Sequence, residues 1–360
     1  MKSRWRWGAR GERSISPRLS ERSERNSRIW IVWLLAGLGL SACTRGEPAV
    51  SAIAIHPTNP QIVYVGTSQH VYKSRDGGRT WALSDQGMSS ARVMSLAVDP
   101  RSPALVYAGT FGDAIWKSWD GGQHWVPDNR GLKEHLSIVT GIVFDRQISS
   151  IMYIGSTVGI YKRTDPEAAW LEKVHGMESV YVVALAADPK RPEILYAGTS
   201  GGVYKSVNRA ERWEPINRGL DIEEVGGALS HGVNAIAIHP EEPATLYIGT
   251  TRGLFISTDG GRSWIQIRAV PAGDVSSVVI DSRDPSTVYA GGAGVFKTTD
   301  GGVTWQAASG GLTSNVRVLA MDPQNPRIIY AGTHSGLFKT ADGGQTWEQQ
   351  TLTSREGMAS

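Results

Sequence analysis

Acidic side chains that could serve in general acid–base catalysis are concentrated in one segment of the sequence. Asp221, Glu223 and Glu224 lie close together there, and His231 follows them. Further carboxylates occur at four separate positions: Asp113, Glu134, Glu178 and Asp274. A glycoside hydrolase needs two carboxyl groups about 5–10 Å apart across the scissile bond, and the sequence singles out no such pair. Glycosidase chemistry is therefore an open alternative without an assigned catalytic residue.

Basic side chains form a second set that could do chemistry, namely anion binding. Arginine offers a planar fork of donors that matches a carboxylate, and histidine adds a donor of adjustable charge. The candidates are Arg92, Lys133, His135, Arg252, Arg317 and His334. If the fold brings them to one surface, they would bind an acidic peptide or glycan; otherwise they are solvated loop residues.

The histidines show no spacing that is typical of a metal site. The chain has eight of them, and no H-E-x-x-H segment occurs. P-loop and dinucleotide-binding fingerprints are also missing from the sequence. We therefore predict no metal and no cofactor, and we assign no catalytic residue.

The single cysteine, Cys43, follows the fourteen residues 29–42, which read IWIVWLLAGLGLSA. This length suits the core of a signal peptide and is short for a transmembrane helix, which needs about 20 residues. Leu40-Ser41-Ala42-Cys43 resembles the lipobox of bacterial lipoproteins, and this resemblance implies cleavage before Cys43 and lipid attachment to its sulfur. An ordinary signal peptide with a chance cysteine, or an uncleaved anchor, would carry the same apolar segment.

Charge is distributed unevenly along the chain. Residues 1–28 carry a net charge of +6, so that residues 29–360 sum to −3 within a total of +3. Nucleic-acid binding usually rests on many lysine and arginine contacts to phosphate. The body of the chain therefore gives no electrostatic reason to predict a nucleic-acid partner.

Two aromatic landmarks recur with a common phase along the rest of the sequence. A tyrosine in a Tyr-Ala/Ile/Val-Gly segment occurs seven times: Tyr64, Tyr107, Tyr153, Tyr196, Tyr247, Tyr289 and Tyr330. A tryptophan follows each of them: Trp81, Trp125, Trp170, Trp213, Trp264, Trp305 and Trp347. Successive tryptophans are 41 to 51 residues apart. A period of about 40–45 residues is typical of a propeller blade with four strands, so we predict seven blades.

Each repeat contains four short runs with the composition of β-strands, which we call strands A to D. Val93–Pro100 is an example of strand A, Leu105–Thr110 of strand B and Gly294–Thr298 of strand C, and strand D is predicted to start at the tryptophan. The runs are rich in β-branched residues and end at Pro, Gly or Asp. The sequence therefore predicts an all-β fold, a single seven-bladed β-propeller of four-stranded antiparallel blades.

The turn between strands C and D carries the pattern Ser/Thr-x-Asp-Gly-Gly-x-x-Trp, which we call the box turn. Five copies are complete, and their aspartates and tryptophans are predicted to be structural: Asp76 and Trp81, Asp120 and Trp125, Asp259 and Trp264, Asp300 and Trp305, Asp342 and Trp347. Carboxylate and hydroxyl can accept from nearby backbone N–H groups, and the tryptophan can pack between blades. Residues 163–170 and 206–213 keep the tryptophan but lose the glycines, so relaxed turns are predicted for blades three and four.

The box turn resembles the Asp-box, or BNR, motif, and the repeats resemble the WD40/YVTN/BNR-like group of propellers. Proteins with this motif include sialidases, xyloglucanase-type hydrolases, sortilin-type receptors and Ycf48/HCF136-type photosystem II assembly factors. The resemblance covers about residues 50–350 and implies a ligand site opposite the box turns, on the face of the D–A and B–C loops. Sialidases carry an Arg-Ile-Pro signature that this sequence lacks, and xyloglucanase-type enzymes use two propellers.

The D–A and B–C loops would collect acidic, basic and aromatic candidates on one face. The predicted ligand-face residues are Arg92, His135, Tyr181, Glu223, Glu224, His231, Arg252, Arg317 and His334. The longest D–A connection, residues 218–232, follows blade four, and insertions in loops often bind ligands. A tolerated, solvated insertion would give the same pattern.

The predicted organisation has a basic leader and lipoprotein signal peptide at residues 1–42, a short tether at 43–49, the propeller at 50–352 and a tail at 353–360. We predict a monomeric, non-catalytic binding or scaffold module for a protein or glycan. Its N-terminal lipid would hold it in the bacterial cell envelope, at the outer membrane or on the periplasmic side of a membrane. The alternatives are a glycoside hydrolase and a Ycf48-like assembly factor for a membrane complex. The ring is predicted to close by packing of blade one on blade seven, without an exchanged strand.

Overall fold

The computed structural model describes residues 47–352, except residues 90–91, 135, 137, 149, 221–223, 226–227 and 230–231. Only the backbone is described at 224–225 and 228–229. The described residues form seven four-stranded antiparallel sheets and one two-stranded hairpin. The predicted seven-bladed, all-β propeller is therefore confirmed. Within these ranges, no helix is long and apolar enough to cross a membrane.

The first four blades each contain four consecutive strands, hydrogen-bonded in chain order. Blade one is β1 (Val50–Ile55), β2 (Val63–Thr67), β3 (Val71–Ser74) and β4 (Ala82–Leu83). Blade two is β5 (Arg92–Val98), β6 (Val106–Phe111), β7 (Ile115–Ser118) and β8 (Val126–Pro127). Blade three is β9 (Val139–Phe144), β10 (Met152–Ser156), β11 (Gly159–Arg163) and β12 (Leu171–Glu172). Blade four is β13 (Val182–Ala187), β14 (Leu195–Thr199), β15 (Gly202–Ser206) and β16 (Glu214–Pro215).

A hairpin within the long D–A connection, β17 (Glu224–Val225) and β18 (Ala228–Leu229), precedes the last three blades. Blade five is β19 (Val233–Ile238), β20 (Leu246–Thr250), β21 (Gly253–Ser257) and β22 (Ile265–Gln266). Blade six is β23 (Val275–Ile280), β24 (Val288–Gly292), β25 (Val295–Thr298) and β26 (Gln306–Ala307). Blade seven is β27 (Val316–Met321), β28 (Ile329–Thr333), β29 (Gly336–Thr340) and β30 (Glu348–Gln350). Strand D begins one residue after the tryptophan in every blade, and not at the tryptophan as predicted.

The seven A strands contact one another in sequence around a central channel, and β1 contacts β27. Among the described strands none is exchanged between blades one and seven, because each sheet consists of consecutive strands only. Across this seam the Tyr330 hydroxyl and the Lys339 ammonium both donate to the backbone carbonyl of Gly77, each at 2.7 Å. The predicted closure by packing is therefore confirmed.

The contact across the seam is one copy of an interblade pairing that recurs around the ring. The strand-B tyrosine and strand-C lysine of one blade donate to the same glycine carbonyl in the box turn of the next blade. The copies with intact box turns are Tyr64 and Lys73 on Gly121, Tyr196 and Lys205 on Gly260, and Tyr289 and Lys297 on Gly343. In the two altered box turns, Lys117 and Lys162 still donate to the carbonyls of Pro166 and Arg209. A backbone carbonyl is present whatever the side chain, so the lysine half of this pairing survives drift of the box sequence. The tyrosine half does not, because the Tyr107 hydroxyl accepts from Arg163 and the Tyr153 hydroxyl has no partner among the described residues.

The tryptophan that ends each box turn fills the space between blades. Trp125 is buried, and its Nε1 donates to the carbonyl of Ser84 in blade one at 2.7 Å. It packs there with Tyr64, Val93 and Val106. An aromatic side chain of this size contributes a large apolar area to the interface and retains a polar partner for its N–H.

The blade-five box turn shows how the intact copies are held. The Ser257 hydroxyl donates to Asp259 Oδ1 at 2.8 Å and accepts from the N–H of Gly261 at 2.9 Å. Asp259 also accepts from the backbone N–H and the hydroxyl of Ser263, and these hydrogen bonds lower the pKa of its carboxyl to about 2. Gly260 and Gly261 have φ values of 76° and 86°, which glycine adopts without a Cβ penalty.

The blade-four turn keeps this geometry, so the predicted relaxation is wrong there. The N–H of Ala210 donates to the Ser206 hydroxyl at 3.0 Å, and that of Arg212 donates to Asn208 Oδ1 at 2.9 Å. Arg209 and Ala210 occupy the glycine positions with φ values of 56° and 67°. The amide oxygen of Asn208 replaces the carboxylate, and the neighbouring packing holds two non-glycine residues in the left-handed region.

We expect Ala210→Gly to raise the free energy of unfolding by about 1 kcal/mol. A left-handed conformation costs an L-residue about 1–2 kcal/mol, and the greater freedom of glycine in the unfolded chain offsets part of the gain. Urea unfolding followed by tryptophan fluorescence measures the change. Ala168→Gly in the blade-three turn is the matched control and should destabilise, because Ala168 has no positive φ. Equal effects of the two substitutions would contradict the assignment of strain to Ala210.

The blade-three turn is built differently, because Arg163 replaces the box hydroxyl. Its guanidinium is fully buried and pairs with Asp128 at 2.5 Å. It also donates to the Tyr107 hydroxyl at 2.7 Å and lies 4.5 Å from the Trp170 ring centroid. Burial raises the pKa of Asp128 even though Arg163 opposes the shift. A buried ion pair thus joins blades two and three where the other blades use a local turn.

Candidate anion-binding site at the channel mouth

Strand direction divides the connections of the propeller between two faces. In every blade strand A begins where strand B ends, as the pairing of Val50 with Thr67 shows in blade one. The D–A loops and B–C turns therefore share one face, which we call the loop face. The A–B loops and box turns share the other, the box face. The side chains that guided the sequence prediction can be placed on the loop face from these connections alone.

The described members of the predicted set all lie on the loop face, in four different blades. They are Arg92 at the start of β5, Tyr181 before β13, Arg252 in the β20–β21 turn, Arg317 in β27 and His334 in the β28–β29 turn. Cys43, His135, Glu223 and His231 lie outside the described residues, and Glu224 is described by its backbone alone in β17. The candidate site is therefore described from the five residues whose side chains the structure describes.

Arg92, Arg317 and His334 lie close enough at the channel mouth for the charges of the arginines to shift the pKa of their neighbours. Burial lowers the pKa of Arg317, and the charge of Arg92 lowers it further. Burial and the charges of Arg317 and Arg92 also lower the pKa of His334. None of the three side chains forms a hydrogen bond or ion pair with another described residue. We call Arg92, Arg317 and His334 the basic cluster; Arg252 and Tyr181 belong to other blades and do not join it.

A serine hydroxyl of blade one lies between the two arginine-bearing blades. Ser51 follows the first buried valine of strand A, the register position of Thr140 and Ser276 in other blades. Thr140 donates to the carbonyl of Val182 at 2.8 Å, and Ser276 donates to that of Val316 at 2.6 Å. The Ser51 hydroxyl is buried and has no hydrogen-bond partner within the described part of the chain. The sequence prediction missed Ser51, although alignment of the seven A strands would have shown its position.

A counterpart of opposite charge in blade six is already engaged. Asp274 occupies in blade six the register position that Arg92 occupies in blade two. It accepts a hydrogen bond of 2.6 Å from Asn234, and burial raises the pKa of its carboxyl. Two arginines, a histidine and a free hydroxyl are donors that match a carboxylate or phosphate. The channel mouth therefore has the composition of an anion site.

A second recess on the loop face brings two of the candidate carboxylates together. A cavity of about 590 Å³ is lined by Asp113, Asn129, Lys133 and Glu134, among others. Asp113 accepts from the Ser89 hydroxyl, and Lys133 pairs with Glu172 at 2.5 Å. Glu178 and Asp274 are not among the residues that line it. Within the part of the chain that the structure describes, no group of three His, Cys, Asp or Glu side chains is placed to hold a metal.

Comparison with known proteins finds similar solved structures but no matching sequence family. No family model matches the chain, and no curated protein matches it. The GH74 xyloglucanase from Xanthomonas campestris superposes with a TM-score of 0.69 at 16% identity; the match covers 86% of this chain and 55% of the enzyme. The chain thus spans about half the length of that enzyme.

Two other solved structures are similar over most of this chain. YCF48 from Cyanidioschyzon merolae has a TM-score of 0.61 at 16% identity, with 83% of this chain and 96% of that chain covered. The extracellular domain of a putative hybrid two-component system from B. thetaiotaomicron has a TM-score of 0.65 at 14% identity, with 82% and 40% covered. At these identities the likeness establishes the fold alone: the chain is a seven-bladed β-propeller.

Proposed function

We propose that the protein is a lipid-anchored, extracytoplasmic propeller that binds an anionic protein or glycan at the basic cluster without transforming it. The observation that carries the proposal is the set of two arginines and a histidine that share one channel mouth without an acidic partner among the described residues. Arg92 and Arg317 are half-buried, and leaving them unpaired there costs free energy that an incoming anion would recover. The anchoring part rests on the lipobox that ends at Cys43.

Two of the structural neighbours support a binding role on an envelope-exposed propeller. One solved structure with a TM-score of 0.61 to this chain is YCF48 bound to D1 peptide. Another is the extracellular domain of a putative two-component system. Both are similar to this chain at 17% identity or less. They therefore support a binding role in general, and the chemistry of the ligand is inferred from the basic cluster.

The binding test uses an oligo-glutamate peptide and an oligogalacturonate as carboxylate-bearing probes. Replacing Arg92 and Arg317 by glutamine is expected to weaken binding about 10- to 100-fold, because a hydrogen bond to a charged group contributes about 1.5–3 kcal/mol. Fluorescence anisotropy of labelled probes measures the dissociation constant. Arg252→Gln, on the same face but outside the basic cluster, is the control and should bind within about twofold of the original protein.

Two outcomes would contradict this proposal. Unchanged affinity in the double variant would remove the basic cluster from the site. Hydrolysis of the glycan would favour the glycosidase alternative, for which the recess that holds Asp113 and Glu134 is the structural argument. In that case Asp113→Asn and Glu134→Gln should abolish turnover, while Glu178→Gln should not.

A further inference from the structure

We propose that the loop face is turned toward the bilayer that holds the lipid of Cys43 and docks on its anionic surface. This inference rests on the anchoring part of the proposed function and goes beyond it. The propeller would thus have a fixed orientation and a defined contact surface.

The point where the chain enters the propeller lies on the loop face, beside the basic cluster. Glu47 Oε2 accepts from the N–H of Leu352 at 3.0 Å, just after the last strand of blade seven. A Cβ built on Gly336 would lie 2.7 Å from the Cβ of Glu47, so the Glu47 side chain lies close against Gly336. Gly336 follows the turn that carries His334. The entry point is therefore fixed at the seam, on the same face as the candidate site.

The number of residues before this point limits where the lipid can be. Three residues lie between Cys43 and Glu47. A fully extended chain spans at most about 3.3–3.6 Å per residue, so the four residue steps from Cys43 to Glu47 reach about 14 Å in all. Blades with strands of five to six residues are about 17–20 Å tall before their turns are added. A tether of this reach cannot pass the ring to bring the box face to the membrane. The loop face is the face that reaches the bilayer first.

The side chains on the loop face suit a lipid–water boundary. Phe111 and Tyr181 are about two-fifths exposed there, next to an exposed Val180, and aromatic side chains prefer the interfacial region of a bilayer. Exposed apolar residues alone do not choose the face, because Trp119, Val207 and Val303 are exposed on the box face. The short tether and the unpaired basic cluster are the features that distinguish the loop face from the box face. A cation near an anionic leaflet gains about 1 kcal/mol.

The test uses the full lipid-modified protein reconstituted into vesicles. The lipid occupies the only native thiol, so an introduced cysteine can be labelled alone. Ser200→Cys places a fluorophore on the loop face and Thr258→Cys places one on the box face; both sites are exposed. Brominated lipids are expected to quench the Ser200 probe severalfold more than the Thr258 probe. Equal quenching, or stronger quenching at Thr258, would overturn the proposed orientation.

Changing the charge of the lipids or of the basic cluster, and changing the tether length, tests the orientation in two further ways. Quenching at Ser200 should be stronger in phosphatidylcholine vesicles that contain phosphatidylglycerol than in phosphatidylcholine alone, and Arg92→Gln with Arg317→Gln should remove that difference. Arg262→Gln, on the box face, is the matched control and should leave it intact. A Gly-Ser insertion of about 20 residues before Gly46 adds an r.m.s. length of about 25 Å and should reduce the contrast between the two probes. If quenching responded neither to the two arginine substitutions nor to the longer tether, the roles of the basic cluster and of the tether would both be contradicted.

The two proposals fail in different ways. Peptide binding measured in detergent tests the basic cluster without a bilayer. If the peptide binds in an Arg92- and Arg317-dependent manner but the probes are quenched equally, only the orientation is wrong. If mass spectrometry finds no acyl group on Cys43, the anchoring part of the proposed function fails and the orientation fails with it.

Discussion

Replacing Arg163 by methionine is expected to lower the free energy of unfolding by about 3–5 kcal/mol. Methionine retains the volume in the blade-three turn but leaves the carboxylate of Asp128 largely buried without its partner. The Tyr107 hydroxyl loses its donor in the same step. Urea denaturation monitored by fluorescence and by circular dichroism measures the change, and coincident transitions show that one cooperative unit is being followed.

A double variant separates the ion pair from general damage to the turn. Arg163→Met combined with Asp128→Asn removes both charges, and we expect it to recover most of the lost stability, because a neutral pair avoids the burial of an isolated charge. The raised pKa of Asp128 supports this expectation, since burial already disfavours its charged form. A double variant as unstable as Arg163→Met alone would show that Arg163 acts through packing on Trp170 instead.

Removing two of the polar contacts at the seam is the second change with a large expected effect. Tyr330→Phe with Lys339→Met deletes both donors to the Gly77 carbonyl. One neutral and one charged hydrogen bond together contribute about 2–4 kcal/mol, and we expect that loss in the free energy of unfolding. In addition, amide hydrogen exchange should accelerate in β1 and in β27 to β30, because the described hydrogen bonds between blades one and seven all involve a side chain.

The matched control makes the same change inside the ring. Tyr196→Phe with Lys205→Met removes the equivalent donors to the Gly260 carbonyl between blades four and five. A similar loss of global stability is expected there, but without faster exchange in β1, because the two blades stay covalently linked. Faster exchange of β1 in both variants, or in neither, would show that the seam is no weaker than the other interfaces.

The fold was predictable because its signals are local and repeated. The box turn needs a hydroxyl, a carboxylate and two glycines within five residues, and the tryptophan follows at a fixed distance. Five complete copies and two altered copies that keep the tryptophan hold one phase, so that strand order and ring closure follow from the period. The prediction of strand D was off by one residue, because the tryptophan packs between blades before the strand begins.

The departures from prediction involve partners far away in the sequence. Arg163 and Asp128 are 35 residues apart, and only the packed ring shows that they form an ion pair. Residues 206–213 lack the glycines, yet Asn208 provides the same acceptor as aspartate and tertiary packing imposes the turn on Arg209 and Ala210. Local propensity indicated a relaxed turn, and the environment decided otherwise.

The candidate site was partly predictable from the order of the blades. Placing Arg92, Arg317 and His334 on one face required only the direction of the strands. Their clustering follows from ring closure, since blades two and seven flank blade one. Two other features depend on contacts between blades, which no single repeat encodes. Arg252 lies outside the basic cluster, and the Ser51 hydroxyl has no partner among the described residues.

The self-contained blades make the starting point of this chain arbitrary in topological terms. Glu47 and Leu352 are already joined by a hydrogen bond of 3.0 Å, so a short peptide could link the two ends. The chain could then be cut at another D–A connection, such as the one that carries the β17–β18 hairpin, to give a circular permutant with the same seven sheets. Such a permutant would move the proposed membrane attachment from one side of the rim to the other while the channel mouth kept its side chains.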